Sequence, residues 1–143
     1  DINWLPQREV YAANLRSHED LASYLSTVEN GHRYGVLVGD TGVGTLGGSE
    51  DHTAILCAGA CEITQYSYCP VLFERSIPLP ADLCFVVEVS VVVAEKTGAA
   101  MTQYNRTSQI AAAVIDTWHR ATGRTDPHMA AAIGSSPHAA AVF

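Results

Sequence analysis

A glycine-rich turn that leads into an acidic pair constrains this chain more than any other stretch. Residues 44–54 contain Gly44, Gly47 and Gly48, and Asp51 follows them. Glycine has no Cβ, so a backbone built from it can adopt positive φ and lets a ligand lie against the main chain. We therefore interpret the turn as a ligand-binding loop that presents the carboxylate of Asp51. The alternative is a solvated hairpin loop, since glycines and acids are common in surface turns.

The turn resembles the Gly-Gly-x-x-Asp-Gln segment of galactokinases and related sugar 1-kinases in the GHMP kinase superfamily. Gly47, Gly48 and Asp51 match that pattern, and His52 stands where the family has glutamine. The resemblance extends as an ordered series from about residue 21 to residue 123, so the series carries more weight than any one motif. His52 either keeps the hydrogen-bonding role of the family glutamine or is a surface imidazole.

The resemblance implies roles for three residues. Asp51 would be the catalytic general base, accepting the proton of a sugar's anomeric hydroxyl during transfer of the γ-phosphoryl group of ATP. Gly48 would contact the sugar through its backbone, and Tyr104 would hydrogen-bond the same substrate. The residues alone leave other roles open, because Asp51 could cap a turn and Tyr104 could pack into a core. We expect the neighbouring Glu50 to be a solvated charge.

A second matching segment, residues 96–106, resembles the family segment that ends in Tyr-Asn-x-Arg or a close variant and follows a strand. Lys96 and Arg106 could hold carboxylates or phosphates there. A lysine and an arginine on a helix are more often solvated charges, and we favour that role here.

The function implied by the resemblance is ATP-dependent phosphorylation of the anomeric hydroxyl of a galactose-like sugar, with ATP and Mg²⁺ as cofactors. Arabinose, an N-acetylated hexosamine and a uronic acid are rival substrates. The alternative is a non-catalytic sugar-binding sensor or regulator on the same fold. The family's Gly-Leu-Ser-Ser-Ser loop for ATP, its Pro-x-Arg sugar motif and its Mg²⁺ ligands are absent between Asp1 and Phe143. We therefore interpret the chain as an internal fragment and expect no kinase activity from it alone.

Charge and hydropathy exclude two classes of partner. A formal net charge of −7 repels a phosphate backbone, which argues against nucleic-acid binding. The longest apolar run, residues 85–93, is interrupted by Glu88 and Ser90 and is far shorter than the roughly 20 residues of a membrane span. No stretch has the pattern of a secretory signal, so we expect a cytoplasmic protein with no membrane partner.

The four cysteines do not have the spacing of a zinc site. Paired Cys-x-x-Cys or Cys/His motifs are missing around Cys57, Cys61, Cys69 and Cys84. Each lies in an apolar or strand-like setting, where a free cysteine behaves as a small hydrophobe. We expect buried, reduced thiols and no bound structural metal.

Local patterns predict a helix before the turn and strands after it. Ser17 with Asp20 three residues later is a helix start, and Asn30-Gly31 is the matching end. Residues 53–58 and 61–68 are rich in β-branched and aromatic residues, which predicts a hairpin between them.

The remaining elements follow from proline positions and apolar runs. Three prolines limit residues 71–77 to an edge strand at most, and residues 85–93 are predicted to form a central strand buried on both faces. A helix is expected from about residue 98 to residue 122, closed by Gly123. Asp126-Pro127 and Ser136-Pro137 each predict a further helix start.

This order of elements is typical of an α+β protein. The resemblance implies the GHMP kinase fold, whose N-terminal half is a ribosomal-protein-S5-domain-2-like domain. Residues 1–80 would end that domain, and residues 81–143 would begin the ferredoxin-like C-terminal domain.

Overall fold

A computed structural model describes residues 8–39, 42, 44–68, 70–93 and 98–141. The chain divides into two compact units, Asp1–Gly98 and Ala99–Phe143. Helices and small antiparallel sheets are both present, so the α+β class is confirmed. The assignment of the chain to the two halves of a GHMP kinase stays a prediction.

The described residues of the first unit form three helices and two antiparallel hairpins. In chain order its elements are α1 (Arg8–Asn14), α2 (His18–Asn30), β1 (Arg33–Tyr34), β2 (Leu37–Val38), α3 (Glu50–Cys57), β3 (Glu62–Tyr68) and β4 (Val71–Pro78). Strand β1 pairs with β2, and β3 pairs with β4. Helix α2 lies against α3 and also contacts β1 and β4, so it is the central element of the unit.

Helix α2 has the ends that the sequence predicts. The Oγ atom of Ser17 accepts a hydrogen bond from the backbone amide of Asp20 at 3.1 Å. The carboxylate of Asp20 in turn accepts from the amide of Arg16 at 3.0 Å, so two helix-start amides are satisfied. Gly31 closes the helix with a φ of 73°, the left-handed conformation that glycine adopts without strain.

Strands β3 and β4 form the longer hairpin. Their pairing runs from Glu62 opposite Pro78 to Tyr68 opposite Val71. Each strand of a two-stranded sheet is an edge strand, so the edge assignment of residues 71–77 is confirmed. The register shifts after Gln65 because Glu74 is an extra residue on β4, a β-bulge.

The predicted strand at residues 53–58 is wrong, because this stretch belongs to helix α3. The amide of Thr53 donates to the carbonyl of Ser49 at 2.8 Å, which closes the first helical turn. Glu50 and Asp51 lie in that turn, where negative charge is stabilised by the positive end of the helix dipole. These acids favour a helix, whereas the β-branched Thr53 and Ile55 suggested a strand.

The predicted central strand at residues 85–93 is also wrong. These residues form neither helix nor strand, and Val87 is 87% exposed. A buried strand needs neighbours on both edges, but both sheets in the described part of the chain are two-stranded and omit this run. Val91 also has a φ of 59°, a left-handed conformation that interrupts an extended backbone.

The second unit is built on one long helix. Its elements are a 3₁₀ turn (Gly98–Ala100) that leads into α4 (Met101–Thr122), then α5 (Met129–Gly134) and a 3₁₀ turn (Ala139–Ala141). The core consists of Ile115, Trp118, Ala132 and Ala139. Gly123 ends α4 in the left-handed conformation, as predicted. Within the described ranges, every helix is too short or too polar to cross a bilayer.

Asp126 does not cap α5, contrary to the sequence prediction. The cap is His128, whose Nδ1 accepts from the amide of Ala131 at 3.2 Å. Asp126 instead accepts from the indole Nε1 of Trp118 at 2.8 Å and from two nitrogens of Arg124, each at 2.8 Å. The carboxylate of Asp126 therefore links the loop after α4 to that helix. After Ser136-Pro137 the described residues form the 3₁₀ turn Ala139–Ala141.

A tyrosine–carboxylate hydrogen bond joins the first hairpin to α2. The hydroxyl of Tyr34 donates to Oδ1 of Asp20. Burial and then this bond raise the pKa of Tyr34 to about 12. The bond from Tyr34, followed by the amide of Arg16, lowers the pKa of Asp20. Each group therefore contributes to stability only over a defined range of pH.

The sign of each contribution follows from the direction of the pKa shift. The contribution of Asp20 is present above its unfolded pKa of about 4 and is lost as the pH falls through the lower folded pKa. The contribution of Tyr34 is present below its unfolded pKa of about 10 and is lost as the pH rises to about 12.

We expect Tyr34→Phe to lower the free energy of unfolding by about 1 kcal/mol at pH 7, since a hydrogen bond to a charged group is lost. The loss of stability between pH 10 and 12 should also become smaller. Urea unfolding followed by circular dichroism across this pH range measures both effects. Val38→Ala is the control, since it removes an exposed side chain without an ionisable group from strand β2 and should leave the alkaline profile unchanged. Equal profiles for wild type and Tyr34→Phe would show that the bond contributes nothing.

Candidate functional site

A groove of about 560 Å³ lies between the start of α3 and strand β3. Six of its lining residues carry hydroxyl groups: Ser49, Thr53, Thr64, Tyr66, Ser67 and Tyr68. Two carboxylates, those of Glu50 and Glu62, also line it, and Phe85 adds an aromatic ring. No described lysine, arginine or histidine is part of the lining. The described lining is therefore rich in neutral hydrogen-bonding groups, and its charged residues are all acidic.

The last turn of α2 holds one wall of this groove in place. The side-chain amide of Asn30 donates to the carbonyl of Gly47 at 2.9 Å, which fixes the glycine-rich turn. Nε2 of His52 lies 3.3 Å from a carboxylate oxygen of Glu29, which links α3 to the same end of α2. Glu29 and Asn30, two consecutive residues of α2, thus contact α3 and the glycine-rich turn. This contact gives His52 a structural role.

Gly48 lies where the turn meets the hairpin. A Cβ built on this residue would be 1.7 Å from the hydroxyl oxygen of Tyr68, closer than any real contact. Gly48 is not among the glycines with positive φ, so a side chain at this position would meet the Tyr68 hydroxyl rather than strain the backbone. The tyrosine that meets the predicted loop is therefore Tyr68, a residue the sequence analysis did not select.

Asp51 lies in the first turn of α3 with an exposed side chain. It is not one of the residues that line the groove in the described part of the chain, whereas the preceding Glu50 is. Glu50 is exposed, as expected, but it faces this groove. The structure thus places Gly48 and Asp51 together at the start of α3 and adds a carboxylate that was expected to be solvated.

The other predicted positions are Tyr104, Arg106 and Lys96. Tyr104 is in the first turn of α4, in the second unit, and is 38% exposed. Its predicted pairing with Asp51 in one sugar site stays a prediction. Arg106 is exposed on the same helix, and Lys96 lies outside the described residues.

The tyrosines of β3 are the groove residues that sequence reasoning missed. Thr64, Tyr66 and Tyr68 are spaced by two, which places them on one face of the strand. Tyr66 donates its hydroxyl hydrogen to the carbonyl of Cys57 at 3.0 Å, joining the hairpin to the end of α3. Burial is the main cause that raises the pKa of Tyr66, so it stays a neutral donor. The spacing was visible in the sequence, but the position of the strand beside α3 was not.

The cysteines differ from the expectation of buried thiols. Cys57 is half-buried, and burial raises the pKa of its thiol, which disfavours the reactive thiolate. Cys61 and Cys84 are exposed because they lie in irregular segments outside the hairpin. Cys69 lies outside the described residues. Among the residues that the structure describes, no group of three or more His, Cys, Asp or Glu side chains is placed to hold a metal ion.

Comparisons of this chain with protein-family models, with curated proteins and with solved structures found no significant match.

We expect Gly48→Ala to push the Tyr68 side chain away from the turn, since the new methyl group would occupy the position of its hydroxyl. Tyr68 is 62% exposed and can move, so the cost in free energy of unfolding should be only about 1 kcal/mol. A double-mutant cycle with Tyr68→Ala measures the coupling. The cost of Gly48→Ala should vanish in the Tyr68→Ala background; an unchanged cost would mean that the two residues do not interact.

Proposed function

We propose that the groove between α3 and β3 binds a neutral monosaccharide, and that this chain is part of a galactokinase-type sugar 1-kinase. The observation that carries the proposal is the lining of the groove by six hydroxyl side chains beside the glycine-rich turn. Thr53, Tyr66 and Ser67 donate their hydroxyl hydrogens to backbone carbonyls, so their oxygens can accept hydrogen bonds from a sugar. A hydroxyl group that keeps its hydrogen can also donate, which matches the hydroxyl groups of a sugar. The volume of the groove also falls within the range of about 300–1,000 Å³ that is usual for small-molecule sites.

Aromatic rings support the same ligand class. Tyr66, Tyr68 and Phe85 line the groove together with Ala54 and other small apolar groups. A sugar ring has apolar C–H faces as well as polar edges, so a site with both aromatic faces and hydroxyl groups can bury it.

The phosphorylation step of the proposal rests on Asp51. Its exposed carboxylate follows Glu50, a lining residue, and can accept the proton of a sugar hydroxyl as that oxygen attacks phosphorus. The described groove does not fit ATP with Mg²⁺, because it offers phosphates no lysine or arginine and the described residues contain no metal-binding cluster. We therefore assign the groove to the sugar alone.

A non-catalytic sugar sensor is the second candidate function. It is favoured by one observation, that Asp51 is not among the described lining residues of the groove. In a sensor the groove would bind sugar and Asp51 would only stabilise the start of α3. Sugar-dependent ADP release distinguishes the two, because a sensor releases none.

Calorimetric titration of the chain with galactose and other neutral hexoses tests binding itself. We expect saturable binding, and Tyr68→Ala should weaken it at least about fivefold, since an aromatic contact of about 1 kcal/mol is lost. Leu72→Ala is the control, as it removes an exposed apolar side chain of the same hairpin that does not line the groove. No saturable binding by the wild-type chain would contradict the proposal.

A further inference from the structure

Glu50 differs from the other carboxylate of the groove in what surrounds it. Glu62 is engaged by the hairpin: its Oε2 accepts from the hydroxyl of Ser76, and its Oε1 lies over the α-carbon of Gly59. In the described part of the chain, the carboxylate of Glu50 has no hydrogen bond or ion pair. Glu50 is therefore the acid of this groove whose oxygens are available to a ligand.

The position of Glu50 suits a ligand with adjacent hydroxyl groups. A carboxylate accepts hydrogen bonds through two oxygens, and charge-assisted bonds of this kind are stronger than those between neutral groups. Glu50 is the first residue of α3 and lines the groove with an exposed side chain. It can therefore accept from two neighbouring sugar hydroxyls while the hydroxyl side chains of β3 contact the rest of the ring.

The same charge disfavours an acidic ligand. A sugar acid would bring a third carboxylate into a groove that already holds Glu50 and Glu62 and no described cation. Like charges brought together without a compensating cation oppose binding, and specificity is often achieved in this way.

We infer that Glu50 is a sugar-binding residue that makes this groove select neutral sugars over sugar acids. The inference rests on the proposed function and narrows it, because it removes uronic acids from the possible substrates. It also assigns to Glu50 a contact with the sugar, whereas the resemblance assigns the sugar contacts to other residues.

Competition between galactose and galacturonate at pH 7 tests the inference. The wild-type chain should bind galactose at least about tenfold more tightly, as expected for one like-charge contact near a protein surface. Glu50→Gln should weaken galactose binding several-fold, strengthen galacturonate binding, and bring the two affinities within about twofold of each other.

Two further variants separate charge from folding. Glu50→Asp keeps the charge at the start of α3 and should keep the preference for galactose. Glu9→Gln makes the same charge change in the first turn of α1, at an exposed residue outside the groove, and should leave both affinities unchanged. If Glu50→Gln had the same ratio of galactose affinity to galacturonate affinity as Glu9→Gln, the role of Glu50 in selecting neutral sugars would be overturned. Failure of the wild-type chain to bind galactose at all would instead overturn the proposed function.

Discussion

Replacing Asp51 by asparagine is expected to slow sugar-dependent ADP release about 10²- to 10⁴-fold, the usual contribution of a general base. Asparagine has nearly the same shape as aspartate but cannot accept the proton of the attacking hydroxyl. The effect should fall on kcat more than on KM, because proton transfer belongs to the transition state rather than to substrate binding.

The assay follows ADP release across a panel of sugars in a protein that carries this sequence together with an ATP-binding loop. Asp116→Asn is the control, since Asp116 is an exposed acid in the middle of α4 and loses the same charge. It should keep wild-type turnover. An Asp51→Asn variant with full turnover would remove Asp51 from the chemistry and leave the sensor as the better account of the groove.

Replacing Trp118 by alanine is expected to cost about 3–5 kcal/mol, the range for removing a buried tryptophan. Among the described residues, the core of the second unit contains one large aromatic residue, Trp118, which is 7% exposed and packs with Ile115, Ala132 and Ala139. The substitution leaves a cavity and also removes the hydrogen bond that the indole donates to Asp126. A loss of this size is comparable to the whole stability of a small unit.

Urea unfolding followed by circular dichroism at 222 nm measures this loss, because most of α4 should unfold with the core. Ile110→Ala is the matched control, since Ile110 is 55% exposed on the same helix and its truncation should cost less than about 0.5 kcal/mol. If Trp118→Ala and Ile110→Ala unfolded at the same urea concentration, the four-residue core would not stabilise the unit.

The elements predicted correctly are those whose signals are local. Ser17 and Gly31 cap the two ends of helix α2, and Gly123 caps the end of α4. Each of these capping residues acts within four residues of the helix end. Hydrogen bonds of this kind form in the same way wherever the helix packs. They can therefore be recognised without knowledge of the rest of the fold.

The elements predicted wrongly depended on partners that a sequence does not show. Residues 85–93 have the composition of a buried strand, but burial requires other strands beside them and layers over them. The eight residues of α3 are too few for a helical period to outweigh their β-branched members. Packing against α2 and the acids of the first turn decide in favour of the helix.

The candidate site was predictable in part for the same reason. The glycine-rich turn and Asp51 form a local motif, and the structure places both at the start of α3. Glu50 and Tyr68 join them only because β3 lies beside α3 and Tyr68 reaches Gly48, a contact between residues twenty positions apart. No local sequence pattern predicts a contact between residues that far apart in the chain.

Two-dimensional NMR of the ¹⁵N-labelled chain during a galactose titration tests most directly whether the groove binds a neutral sugar. Amide signals of residues 49–54 and 64–68 should shift together, with one dissociation constant, while those of α1 stay in place. Saturable shifts confined to α4 and α5, or no saturable shift at any residue of the groove, would contradict the account.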